Sequence, residues 1–141
     1  MSFEIEEVHS KSEHIDVLFS LLASRKYNIS HKDLPSYQSH KEFVSSHPYR
    51  YWFLISQFGS YIGTFYIQHD NSIGINLDSK YYADALPFII ETIKLKFRPC
   101  PIEKSKIPKE FYINVPIDDR KFHDVIKSIG CKPVQVSFQI D

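Results

Sequence analysis

The chain is poor in cysteine, in glycine and in any surplus of charge. Only two of its 141 residues are cysteine, Cys100 and Cys131. That is too few for a disulfide framework, and the paired spacing of a structural zinc site is missing. Lys plus Arg and Asp plus Glu each number 17, so the net charge is zero. The basic excess with which proteins gather nucleic-acid phosphates is therefore absent, and DNA or RNA binding is not expected. Nowhere do as many as about 18 apolar residues run together, so no membrane span is expected. The opening stretch Phe3-Glu4-Ile5-Glu6-Glu7 has neither the basic nor the apolar part of a signal peptide, and a cytoplasmic location is expected. Four glycines without a period exclude collagen-like and low-complexity architectures.

What is present suits one folded domain. Apolar residues make up 43% and charged residues 24%, the balance of an ordinary globular protein. The length matches the prior of about 150 residues per domain. Aromatic residues reach 15%, with 9 Tyr and 11 Phe, a load that favours a sheet-containing core. Phe3 to Val8 alternates as a strand. Ile15, Leu18, Phe19 and Leu22 fall at helical spacing, which predicts a helix over His14 to Ser24 with Ser12 as its N-cap. Residues 25–36 show no period, and Pro35 is expected at N1 of a second helix reaching about Ser46.

Tyr51 to Gln57, the turn Phe58-Gly59-Ser60 and Tyr61 to His69 predict a hairpin. Ile73 to Leu77 extends it into a three-stranded meander. Ala85, Leu86, Ile89, Ile90, Ile93 and Phe97 predict a helix starting near Ala83 or Asp84, with Pro87 tolerated only in its first turn. Glu110 to Val115 reads as a strand. Asp119 is expected to cap a helix that carries Phe122, Val125, Ile126 and Ile129 and ends at Gly130. Pro133 to Ile140 is expected to be the last strand. The predicted order is β, α, α, β, β, β, α, β, α, β, one α/β domain with a mixed, mostly antiparallel central sheet flanked by helices on both faces.

This order resembles the GNAT superfamily of acyl-CoA-dependent N-acyltransferases over nearly the whole chain. The resemblance is carried by the hairpin at 51–67, by Ile73-Gly74-Ile75-Asn76-Leu77, and by the ending Ser128-Ile129-Gly130-Cys131. Residues 29–40, with Phe43 and Ser46-His47-Pro48-Tyr49, are similar to a GNAT subgroup found with sugar-modification genes. The resemblance implies acetyl-CoA as acyl donor, a small amine such as an amino-sugar or sugar nucleotide as acceptor, and no metal. It also implies a gap between the fourth and fifth strands, where main-chain atoms around Ile75 and Leu77 hold the pantetheine arm. The diphosphate of the donor is expected on amides at the start of the third helix, a natural anion seat.

The family word there is Arg or Gln, two residues, Gly, one residue, Gly or Ala. The corresponding positions read Lys80, Tyr81, Tyr82, Ala83, Asp84 and Ala85. Lys80 supplies the basic residue and Ala85 is an accepted variant, but Ala83 replaces the glycine that permits close approach, and Asp84 brings a negative charge. In the closing helix the family's cofactor-touching Asn and its thiolate-protonating Tyr correspond to Asp119 and Ile126, and isoleucine has no proton to give.

N-acylation requires a neutral amine, and imidazole is the side chain suited to accept its proton. His31 is the favoured base, and Asn76 on the fourth strand is the second candidate catalytic residue. Tyr37, His40, Trp52 and Tyr66 are the candidate acceptor-binding residues, with rings suited to stacking on a sugar or a base. Each has an ordinary alternative as core packing, capping or surface. The absent glycine and tyrosine leave a second functional class open, a GNAT-fold ligand-binding or interaction module that no longer binds CoA. A homodimer formed through the strand Pro133 to Ile140 is a third reading.

Overall fold

Near-continuous aromatic and β-branched runs in β2 and β3 build a sheet whose two faces are covered by different helices. The computed structural model describes residues 2–25, 34–101 and 109–141. Strands β1 (Phe3–Glu7), β2 (Tyr51–Gln57), β3 (Ser60–Ile67), β4 (Ser72–Leu77) and β5 (Tyr112–Ile113) pair in that order. The first three pairings are antiparallel, and β4 with β5 is parallel. Helices α1 (Ser12–Ser24) and α2 (Tyr37–Ser45) lie between β1 and β2 in the chain. Helix α3 (Tyr82–Lys96) joins β4 to β5, and α4 (Arg120–Ser128) follows.

Ile55, Phe65, Ile67, Ile73, Leu86 and Ile89 form the heart of one core, beneath α3 and α4. Leu54 and Trp52 turn the other way and pack with Ile15, Leu18 and Val44 of α1 and α2. The mixed sheet with helices on both faces is thus the α/β architecture expected.

Turn chemistry fixes the meander. Phe58 and Gly59 both take positive φ, 51° and 80°, as a tight hairpin turn requires. Asn71 also has positive φ, which its short amide side chain tolerates. That side chain is fully buried. Its Nδ2 donates to the Cys100 carbonyl (3.0 Å) and its Oδ1 accepts from the Cys100 N–H (2.7 Å), so the β3–β4 turn anchors the chain leaving α3.

Several expected boundaries move. Helix α1 starts at Ser12, with Lys11 as its cap. Helix α2 starts at Tyr37, capped by Ser36, whose Oγ accepts from Ser39 N–H, so Pro35 lies outside it. Helix α3 starts at Tyr82, which makes Pro87 its sixth residue, past the first turn. The carbonyl that would have bonded the missing N–H belongs to Ala83, and Ala83 is exposed to solvent. The strand expected over Glu110 to Val115 is only two residues long.

The expected strand Pro133 to Ile140 is overturned. No ladder includes it, and Val134, Val136, Phe138 and Ile140 are 76%, 66%, 87% and 95% exposed. Alternation records which side chains could share a face, whereas a strand also needs an edge to bond. Past α4 the chain turns at Gly130, φ 99°, and meets none.

Candidate functional site

The last two strands of the sheet part after two paired residues. Tyr112 N–H donates to the Asn71 carbonyl (3.1 Å), and Asn114 N–H donates to the Ile73 carbonyl (3.2 Å). The β4–β5 ladder stops there, while β4 runs on to Leu77. Since the main chain of Ile73 faces β5, strand periodicity turns that of Ile75 and Leu77 the same way. No β5 residue lies opposite them among the described residues.

Beyond Leu77 the chain tightens into a 3-10 turn, Ser79–Tyr81, that runs into α3. Asp78 caps it: its Oδ1 accepts from Lys80 N–H (3.0 Å) and its carbonyl from Tyr81 N–H (2.9 Å). Tyr82 N–H donates to the Ser79 carbonyl. Three of the six amides from Lys80 to Ala85 are therefore bonded inside the turn. Lys80, Ala83 and Asp84 are exposed, whereas Tyr82 and Ala85 are buried. The Lys80 ammonium lies over the Tyr81 ring, 5.3 Å from its centre.

The Tyr82 ring enters the core and meets Phe122 edge-on, with centroids 5.1 Å apart. Its hydroxyl donates to Asp119 Oδ2 at 2.7 Å. Asp119, 3% exposed, caps α4 by accepting from Phe122 N–H with its other oxygen. Asp119 thus plays the capping role expected of it, and its carboxylate faces Tyr82.

The residues present fit one half of a CoA-type donor. A strand edge with free amide and carbonyl groups suits the amides of a pantetheine arm. The head of α3 does not suit a diphosphate, because its amides are partly used and Asp78 and Asp84 are both negative. Like charges about 4 Å apart repel by about 1 kcal/mol in water and about 4 kcal/mol near a protein surface.

On the opposite face of the sheet the expected acceptor residues fall into two groups. Trp52 and Tyr66 are cross-strand partners. Trp52 Nε1 donates to Thr64 Oγ1 (2.8 Å), and the Tyr66 ring stacks flat on Tyr49, with centroids 3.9 Å apart. His47 meets Trp52 edge-on. Burial, with the two phenols facing each other, pushes Tyr49 far above the ordinary tyrosine range, and burial raises Tyr66 as well. Tyr66 crosses Gly74, where any Cβ would lie 2.1 Å from a ring carbon.

Tyr37 and His40 instead tie α2 to α1. The Tyr37 hydroxyl donates to Asp16, and His40 Nε2 donates to the Ile15 carbonyl at 3.1 Å. Asn76 Nδ2 donates to the Leu21 carbonyl (3.0 Å), satisfying one of the free carbonyls at the end of α1. His31 lies outside the described residues.

Two features escape the sequence reading. Asp78 is one, although an Asp two residues before a turn amide is a recognisable cap. The other is a polar chain at the start of α1. His9 N–H donates to His14 Nδ1 (2.9 Å), which leaves the proton of this fully buried imidazole on Nε2, bonded to Glu6 Oε2 at 2.7 Å. The Tyr61 hydroxyl lies 2.8 Å from Glu6 and 2.9 Å from Glu13. The Tyr61 and His14 bonds hold the Glu6 carboxyl below its usual range. Tyr61, Asp16, Ser20 and Ser60 border an open cleft of about 410 Å3 beside this chain. Among the described residues no group of three or more His, Cys, Asp or Glu side chains could hold a metal, and no helix is long and apolar enough to cross a membrane.

No family model and no curated protein matches the chain. Solved structures do. A domain from Methanocaldococcus jannaschii superposes with a TM-score of 0.66 at 9% identity, over 96% of this chain and 92% of that one. A transcriptional regulator from Bacillus halodurans gives 0.62 at 12%, over 99% of each chain. An aminoglycoside acetyltransferase from an uncultured soil metagenomic sample gives 0.57 at 13%, over 100% and 99%. Further acetyltransferases superpose similarly. At such identities the likeness is one of backbone. The chain shares the fold of these acetyltransferases.

Proposed function

We propose that the chain is an N-acyltransferase that passes an acyl group, acetyl in the simplest case, from a thioester of the acyl-CoA class to a small amine. The parting of β4 from β5 carries this reading, because it leaves the main chain of Ile75 and Leu77 without a strand partner on that side among the described residues. When bound there, the donor supplies an activated carbonyl carbon. Ile75 and Leu77 hold its arm, and Asn76 positions that stretch by fastening β4 to the end of α1. Lys80 adds positive charge at the rim. Trp52, buried, and Tyr66, stacked on Tyr49, support the acceptor side from beneath. Tyr37 and His40 support it through α2. Acetyltransferases that act on aminoglycosides share the fold, which is consistent with an amine-bearing sugar.

The transfer balances simply. The neutral amine forms the C–N bond, the C–S bond breaks, the thiolate departs with the electron pair, and the proton that the nitrogen sheds on becoming an amide passes through water to the thiolate. The ammonium proton must leave first, and His31 is the residue proposed to take it. Ile126 cannot return a proton to the thiolate, so water serves that role.

A second reading, a binding module without CoA chemistry, is favoured by the Asp78 cap and the Tyr82–Asp119 lock. Thiol release from acetyl-CoA and from acetyl-pantetheine in the presence of amino-sugars separates the two. The transferase reading expects amine-dependent release that falls about a hundredfold in His31→Gln. Release that no amine accelerates, with either thioester, would leave the module.

A further inference from the structure

We infer that the donor site selects a pantetheine thioester lacking the adenosine diphosphate portion of CoA, an inference that rests on the donor-site reading above. Three independent observations converge at the head of α3. The amides of the turn that leads into it are already bonded: Lys80 N–H to Asp78 Oδ1, Tyr81 N–H to the Asp78 carbonyl and Tyr82 N–H to the Ser79 carbonyl. A phosphate could reach them only by displacing the Asp78 carboxylate from Lys80 N–H and the main-chain carbonyls of Asp78 and Ser79 from the other two. Asp84, in the first turn of α3 and exposed, adds a second negative charge where the diphosphate would lie, and Ala83 projects a Cβ where the family has glycine.

The turn is also pinned from inside. Tyr82 is 5% exposed, with its hydroxyl on the buried Asp119 and its ring on Phe122. Unwinding the turn to free its amides would break a hydrogen bond between two buried groups, a costly rearrangement. Lys80 does not offset the two carboxylates at the amides, since its ammonium lies over the Tyr81 ring.

Just upstream, the edge that would hold the arm has no strand partner among the described residues. β4 presents the main chain of Ile75 and Leu77 to the gap, and a pantetheine arm carries two uncharged amides that can pair with such an edge. The site is therefore built for the arm and against the diphosphate. Transfer from the shorter donor involves the same bonds, C–N made and C–S broken with the electron pair leaving on sulfur, because the reacting atoms lie at the other end of the arm.

Calorimetric titration with pantetheine and with CoA, both without an acyl group, tests this by binding alone. The expected result is a Kd for pantetheine equal to or smaller than that for CoA. The substitution Asp78→Asn keeps an oxygen to accept from Lys80 N–H and so keeps the cap. In Asp78→Asn/Asp84→Asn the ratio of the two Kd values should move toward CoA by about tenfold or more, as removal of like charge predicts. CoA binding at least tenfold more tightly than pantetheine in the unsubstituted protein would overturn the inference and leave the transferase proposal standing. Failure of both to bind would overturn the two together.

Discussion

Tyr82 and Asp119 satisfy each other inside the protein, and each has another duty, the ring in the core and the carboxylate at the cap of α4. Removing the hydroxyl leaves a buried carboxylate oxygen without its donor. Tyr82→Phe should therefore lower stability by about 1–3 kcal/mol, read as a reduced urea midpoint at unchanged slope. The histidines make a prediction of a different kind. Burial depresses the imidazole of His40, against the opposing pull of the Ile15 carbonyl, and it depresses that of His47. A histidine whose folded pKa lies below its unfolded value of about 6.5 binds fewer protons when native. Its stabilisation is complete above that value and is lost as pH falls through the window beneath it. The urea midpoint should accordingly decline from pH 7 toward pH 5, and His40→Gln should flatten that decline. An undiminished slope in the variant would place the proton uptake elsewhere.

At the scale of elements, the stacked rings of Tyr49 and Tyr66 depend on a missing side chain in β4. Gly74→Ala puts a methyl group into the Tyr66 ring, and Tyr66 cannot swing away without leaving Tyr49. A loss of about 1–3 kcal/mol is expected. In the Gly74→Ala background, Tyr66→Ala should cost less than it does alone, a coupling that a double-mutant cycle measures.

The meander containing this contact was readable in the sequence because its signals are local: β-branched and aromatic runs, Phe58-Gly59, and Asp70-Asn71. The capping of α4 by Asp119 was readable for the same reason. The start of α3 was not. Helical periodicity locates Ala85, Leu86 and Ile89, but Asp78 recruits the turn before it, and a side-chain cap leaves no trace in apolar spacing. The Tyr82–Asp119 bond joins residues 37 apart, and no local pattern announces it. His40 and Asn76 show the converse limit. Their types suggested chemistry, and what the structure displays is hydrogen bonding to the carbonyls of Ile15 and Leu21.

For the whole molecule, residues 133–140 and the β4–β5 side of the sheet matter most. Pro133 to Ile140 has the composition of a strand, yet its apolar side chains stand in solvent and no ladder bonds it. Deleting residues 133–141 should change the unfolding free energy by less than about 0.5 kcal/mol, the range of surface changes that remove no packed contact. A larger loss in the urea midpoint would mean that the segment is paired in solution. Beside β5, the proposed activity requires the unpaired edge of β4 to be open to a ligand. Amide chemical-shift mapping during titration with pantetheine tests that most directly. The account predicts saturable shifts centred on the amides of Ile75 and Leu77, with little change at Lys80 to Ala85. Shifts confined to other parts of the molecule, or none at saturating ligand, would contradict it.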